Sequence, residues 1–183
     1  MRLGMILAAG QSLRFGADDK LVAPWQGRPL ITWAAEALMQ SGCDRLGAVI
    51  SSPAVGAVLP DDFVLHTLPS GLPMSASFGL ALRQARVAGA DGLLICLGDM
   101  PNVSAALLRR LLTSGESCAC VQGDRRMPPA HIAAGDFGKA LGRFEGDQGA
   151  REFLATLPRD RLIPIDTRTA HDIDRPGDLS GPA

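Results

Sequence analysis

The chain lacks a long apolar run, a block of like charges, a repeat, a low-complexity tract and any composition break that would mark a linker. Each absence removes a class of protein. The longest strongly apolar runs fall far short of the ~20 residues that cross a bilayer. The run from Leu3 to Ala9 barely reaches the length of a signal-peptide core, so the expected location is cytoplasmic. With 18 Lys and Arg against 19 Asp and Glu, the formal net charge is -1. Neither nucleic acid nor a membrane surface would be held by bulk electrostatics at that balance. Any phosphate must be gripped locally.

The familiar catalytic signatures are missing as well. His66, His131 and His171 are too dispersed to form a metal cluster by themselves. The pair Cys118-Ala-Cys120 lacks the second Cys/His pair that a zinc site requires. Alternation along a strand instead places both thiols on one buried face, as expected of free cysteines in a reducing compartment. No G-x-S-x-G elbow occurs, and no cysteine sits in a recognisable nucleophile motif. A P-loop spacing fails because five residues separate Gly10 from Gly16 and Lys20 comes later. The dinucleotide fingerprint fails because its middle glycine is absent.

What remains is a 183-residue chain, 46% hydrophobic, in which short apolar runs alternate with helical patterns. That alternation predicts one α/β domain over residues 1–183 with a mostly parallel sheet. Strands are expected at Arg2–Leu7, Leu46–Ile50, Phe63–Leu65, Leu93–Leu97, Ser117–Val121, His131–Ala134 and Leu162–Ile165. Helices are expected at Leu30–Gln40, Ser77–Val87, after a cap at Asn102, and around Phe137–Phe144 and Ala150–Leu157. Ligands of open parallel sheets sit beyond the carboxyl ends of the strands. Three polar motifs fall at or just past such ends: residues 8–20, Gly98-Asp99, and the tail from Asp172.

The first motif is "LAAGQSLRFGADDKL". Backbone N–H groups around Ala8 to Ser12 lack ladder partners and face an anion or a base edge. Gly10 permits torsions and close approach that a Cβ would block. Arg14 supplies a fork of donors matched to phosphate oxygens, and Lys20 a mobile point charge. A solvated surface turn accounts for the same residues if the loop is taken alone. The second motif, "LLICLGDMP", ends the strongest strand with Asp99. A carboxylate there binds Mg²⁺, or bonds nearby amides in a turn leading to the next helix.

Taken in order, L-A-A-G-x-S-x-R-x-G followed by D-K-L resembles the opening motif of the MobA-like nucleotidyltransferases. It looks most like their cytidylyltransferase branch, which makes molybdopterin cytosine dinucleotide. The resemblance implies a three-layer α/β/α fold with a Rossmann-like, mostly parallel sheet. It places Leu7, Ala8, Ala9, Gly10 and Ser12 on the nucleotide, with Arg14 and Lys20 on its phosphates. Phe15 stands where the family usually has Met. The Ala8-Ala9 pair, where guanylyl-transferring relatives carry Ala-Gly, implies CTP. G-D-x-P is the family's magnesium motif, which assigns Asp99 to Mg²⁺. "HDIDRPGDL" is similar to the family's D-I-D-T-P-E-D-L, with Arg175 and Gly177 as departures; it implies Asp174 as a second ligand supported by Asp172.

Two further stretches extend the resemblance. "GLPMSASFGL" is similar to G-M-S-x-S-L-x-x-G and implies that Ser75 and Ser77 face phosphate or ribose, although either serine also fits plain helix capping. "LGRFEGDQGAREFL" is similar to L-x-G-D-x-G-A-R-x-L-L and implies that Asp147, Gly149 and Arg151 face the second substrate. "RRMPPAHIA" departs from the family's G-H-P-like stretch. The expected reaction transfers CMP from CTP to the terminal phosphate of molybdopterin, releasing pyrophosphate, with a molybdoenzyme or chaperone as recipient of the product. A phosphate nucleophile already carries charge at pH 7, so it needs alignment and screening rather than a strong base. Two alternatives keep the site: GTP in place of CTP, and a sugar- or alditol-phosphate acceptor. A nucleotide-binding cofactor carrier without turnover is the non-enzyme alternative.

Overall fold

In a computed structural model, residues 1–10, 19–142 and 149–180 are described, with backbone alone for 149–151 and 180. Nine strands and six helices alternate among the described residues: β1 (Arg2–Ala8), β2 (Pro24–Trp25), β3 (Arg28–Pro29), α1 (Ile31–Met39), β4 (Arg45–Ile50), α2 (Pro53–Val58), β5 (Phe63–Thr67), α3 (Met74–Val87), β6 (Gly92–Leu97), α4 (Ala105–Thr113), β7 (Cys118–Gln122), β8 (Arg125–Ala133), α5 (Phe137–Leu141), α6 (Gly149–Ala155) and β9 (Leu162–Pro164). Seven strands form one sheet in the order β5-β4-β1-β6-β8-β7-β9, and β2 and β3 form a separate small hairpin. Only β8 runs against its neighbours in the large sheet.

The core forms because β1 sends alternate side chains to opposite faces. Ile6 and Ala8 join a cluster with Leu30, Ile31, Ala34 and Leu108, built from α1 and α4. Met5, Leu7 and Ala9 join Phe78, Leu82, Phe137 and Phe153, built from α3, α5 and α6. Three layers result, as expected. Cys118 and Cys120 are buried free thiols in the first cluster. Burial, with Cys118 adding, pushes the Cys120 thiol up to about 12, so it is not poised as a nucleophile.

Several boundaries differ from the sequence expectation. The helix after the fourth large-sheet strand is capped by Ser104, whose Oγ accepts from the Leu107 N–H at 3.2 Å. Asn102, expected there, instead donates to the Arg168 carbonyl at 3.1 Å. Neither Ser75 nor Ser77 caps α3, which begins at Met74 behind an extended Pro73. The strand expected at His131–Ala134 begins six residues earlier, at Arg125.

Close packing between β6 and β8 explains one glycine. A Cβ on Gly92 would lie 2.2 Å from His131 Nε2, and the His131 ring is pinned by Nδ1 at 2.9 Å from the Glu116 carbonyl. The Gly92→Ala variant should therefore lose about 1–3 kcal/mol, the usual cost of overpacking. Thermal melts check this: His131→Ala in the same chain should recover part of the loss.

Candidate functional site

The chain crosses from the β4 side of β1 to the β6 side through α3, so the strand order reverses between β1 and β6. Open α/β sheets bind ligands at the carboxyl edge of such a reversal. The two strands finish level, with Leu7 opposite Leu97, and the Gly98 N–H donates to the Leu7 carbonyl at 3.1 Å. The Ala8-Ala9-Gly10 and Gly98-Asp99 segments therefore emerge side by side. Ala8 belongs to the ladder, opposite Ile50, so the unpaired backbone begins one residue later than expected. Gly10 needs no unusual torsion, because its φ is not among the positive ones. Among the described residues, a Cβ there would meet nothing within 4 Å.

Lys20 reaches this edge from a tight turn. The Leu21 N–H donates to Asp19 Oδ1 at 3.0 Å, and the Ile31 N–H ties the turn to α1 by donating to the Leu21 carbonyl at 3.0 Å. The Lys20 ammonium then donates to Asp99 Oδ2 at 2.7 Å, Asp174 Oδ1 at 3.1 Å and the Ile173 carbonyl at 3.1 Å. The tail is anchored in return, because the Ile173 N–H donates to the Asp99 carbonyl at 3.0 Å. Asp178 Oδ2 accepts from the backbone of Asp174 and Arg175 at 2.9 and 2.8 Å, fixing the turn that presents Asp174. Three segments far apart in sequence thus converge on one charge.

The electrostatics follow from burial. Lys20 is 11% exposed and Asp99 is 18% exposed in the pair. Burial alone would lower Lys20, but the charge and hydrogen bond of Asp99, with those of Asp174, hold the ammonium above its ordinary range. Burial likewise pushes the Asp99 carboxyl up; Lys20 opposes the rise and Asp172 adds to it. The second oxygen, Asp99 Oδ1, is buried with no hydrogen-bond partner among the described residues. A buried carboxylate oxygen without a donor is costly to leave unmet. It fits a hard divalent cation, and Asp172 and Asp174 line the same cleft. No group of three His, Cys, Asp or Glu forms a ready-made cage among the described residues. A divalent cation held by these carboxylates would take its other oxygens from water and substrate phosphates.

The cleft above this floor holds about 690 Å³. Leu7, Ala8, Ala9 and Gly10 line one side, and Ser77 joins them from the first turn of α3. Ser75 is not among the described residues that line it. The N-terminus of α3 opens on the cleft through Pro73 and Met74, which aims the positive end of a 14-residue helix at it. The far wall was not legible in the sequence: Arg125, Arg126, Met127, Pro128 and Leu154. Leu72 and Met74 form an exposed apolar lip at 38% and 52% exposure. Ser12, Arg14 and Asp147 lie outside the described residues, as does the side chain of Arg151; Gly149 opens α6.

Comparison with known proteins agrees with this architecture. Residues 4–162 match the MobA-like NTP transferase domain. A molybdenum cofactor guanylyltransferase from Cereibacter sphaeroides is 38% identical over 132 residues, covering 71% of this chain and 67% of its own. A nicotine blue oxidoreductase from Paenarthrobacter nicotinovorans is 30% identical over 189 residues, covering 93% and 91%. Among solved structures, a manganese complex of a Mycobacterium tuberculosis H37Rv protein superposes with a TM-score of 0.79 at 25% identity, covering 98% of this chain and 96% of that one.

Proposed function

We propose a reaction from one premise: this chain belongs to the MobA-like NTP transferase family. Its cleft binds a nucleoside triphosphate and a molybdopterin-type acceptor, and transfers the nucleoside monophosphate to the acceptor's terminal phosphate, releasing pyrophosphate. The observation that carries the reading is the convergence of Lys20, Asp99 and Asp174 in the cleft that Gly10 also lines, where the glycine loop begins. A polyphosphate laid along that loop meets backbone amides, a buried ammonium and the α3 N-terminus together. Each favours negative charge. Since the acceptor phosphate is already anionic, the chain's work is to align the two anions and stabilise charge developing on the leaving pyrophosphate. Magnesium, when bound, supplies charge screening across the phosphate oxygens. Asp99, with its buried oxygen, and Asp174 would hold it; Lys20 and Arg14 would grip the polyphosphate.

The acceptor wall favours a flat, partly apolar body over a polyhydroxylated one. Met127, Pro128 and Leu154 give it apolar surface beside the exposed Arg125, which suits an anionic, partly apolar body better than one bearing hydroxyls on every side. The named relative that acts as a molybdenum cofactor guanylyltransferase points the same way.

For the base, CTP is the proposed donor. Ala9 lines the cleft while packing into the core below it, at the position where guanylyl-transferring relatives carry glycine. The guanylyltransferase relative favours GTP instead. Pyrophosphate release from CTP and from GTP, each with molybdopterin and with an alditol phosphate, decides between them. The Ala9→Gly variant should raise the GTP-to-CTP ratio of kcat/KM by about 10-fold or more, the worth of one methyl in a fitted pocket. An unchanged ratio would remove Ala9 from base selection. Nucleotide binding without pyrophosphate release from any acceptor would replace the enzyme reading with a carrier.

A further inference from the structure

The two arginines that open β8 line the same cleft and have different surroundings. Arg125 is exposed. Arg126 turns onto the end of α6, where its Nη1 donates to the carbonyls of Leu154 at 3.0 Å, Leu157 at 2.7 Å, and Ala155. One nitrogen with two hydrogens is shared among three carbonyls. These oxygens converge because the chain tightens as the helix ends: the Thr156 and Leu157 N–H groups donate to Phe153 and Leu154 at 2.9 and 3.2 Å. The carbonyl end of a helix carries partial negative charge, and a guanidinium answers that charge while adding a donor to its last carbonyls. No other side chain is recorded on those three carbonyls among the described residues.

The location gives this contact a consequence. Leu154 is 1% exposed and lines the cleft beside Arg126, Met127 and Pro128. Arg126 therefore ties the antiparallel strand to the helix whose first residue, Gly149, lies in the stretch proposed to meet the second substrate. The nucleotide side rests on β1, β6 and α3; α3 also packs against α6 in the second cluster, but the hydrogen bonds of Arg126 go to the end of α6 and not to α3. We propose that Arg126 is a positioning residue for the phosphate acceptor: its guanidinium fixes α6 against β8, and so sets the wall on which the acceptor docks, without itself taking part in the chemistry. This rests on the two-substrate reading above and deepens it.

The test compares Arg126→Ala and Arg126→Lys with the wild type in three measurements. Steady-state kinetics with varied molybdopterin and varied CTP should show the acceptor KM rising at least about tenfold in Arg126→Ala, while the nucleotide KM stays within about twofold. Lysine, which keeps the charge but loses the planar fork, should recover part of the acceptor KM. Amide hydrogen exchange should show faster exchange confined to residues 149–158 in Arg126→Ala. Melting temperatures report any global loss separately. Equal rises in both KM values, or unchanged exchange at 149–158, would overturn the assignment. Should the wild type release no pyrophosphate with any acceptor, the two-substrate reading fails, and with it the acceptor role of Arg126. The exchange data would then report only the clamp.

Discussion

Replacing Lys20 with alanine should lower kcat for pyrophosphate release by about 10²-fold or more, with nucleotide and acceptor both saturating. The ammonium is pre-set rather than recruited. The Asp19 turn, the Leu21–Ile31 bond and the Ile173 carbonyl fix its position, and burial keeps competing water away. A donor fixed in advance stabilises developing charge without reorganising as the reaction proceeds. Stability will change too, because Asp99 would remain buried beside Asp172 without its cation. Turnover should be compared at a temperature where both proteins are folded. Near-normal turnover in Lys20→Ala would remove this residue from the chemistry.

Asp99→Asn should be at least as damaging, with kcat/KM for the nucleotide falling on the order of 10²–10³-fold. The two variants are informative together because they part company on metal. In the structure the Lys20 ammonium rests on the carboxylates that a divalent cation would use. A +1 charge at that spot opposes a second cation, so Lys20→Ala should bind Mn²⁺ alone more tightly than the wild type. Asp99→Asn removes a carboxylate and should bind it more weakly. Electron paramagnetic resonance of free Mn²⁺ measures both without turnover. Same-direction changes in the two variants would mean that Lys20 and the metal do not share ligands.

These effects were partly visible before the structure. Lys20, Asp99 and Asp174 stand in motifs with distinctive order, and strong periodicity marked β1, α1 and β6 around them. The hairpin Pro24–Pro29 was missed because two strands of two residues each carry no periodic signal. The helix at Pro53–Val58 was missed because six small and branched residues resemble a loop. The first half of β8 escaped because Arg125, Arg126, Pro128 and Pro129 break any alternation. Pairing with β7 makes this segment a strand, so tertiary context overrides its local preference. Arg126 illustrates a deeper limit. Its partners are backbone carbonyls, which look alike in every residue and leave no trace in the sequence. A carboxylate partner leaves a letter to read; a helix end leaves none.

The account stands on Lys20 and Asp99 serving one polyphosphate from the edge where β1 and β6 finish. The most direct measurement is a crystal structure with a non-hydrolysable CTP analogue and Mn²⁺. The expected result is the triphosphate over Gly10, with the Lys20 ammonium on its oxygens and Mn²⁺ between it and Asp99. A nucleotide seated elsewhere, or one that leaves Lys20 and Asp99 facing only each other, would contradict it.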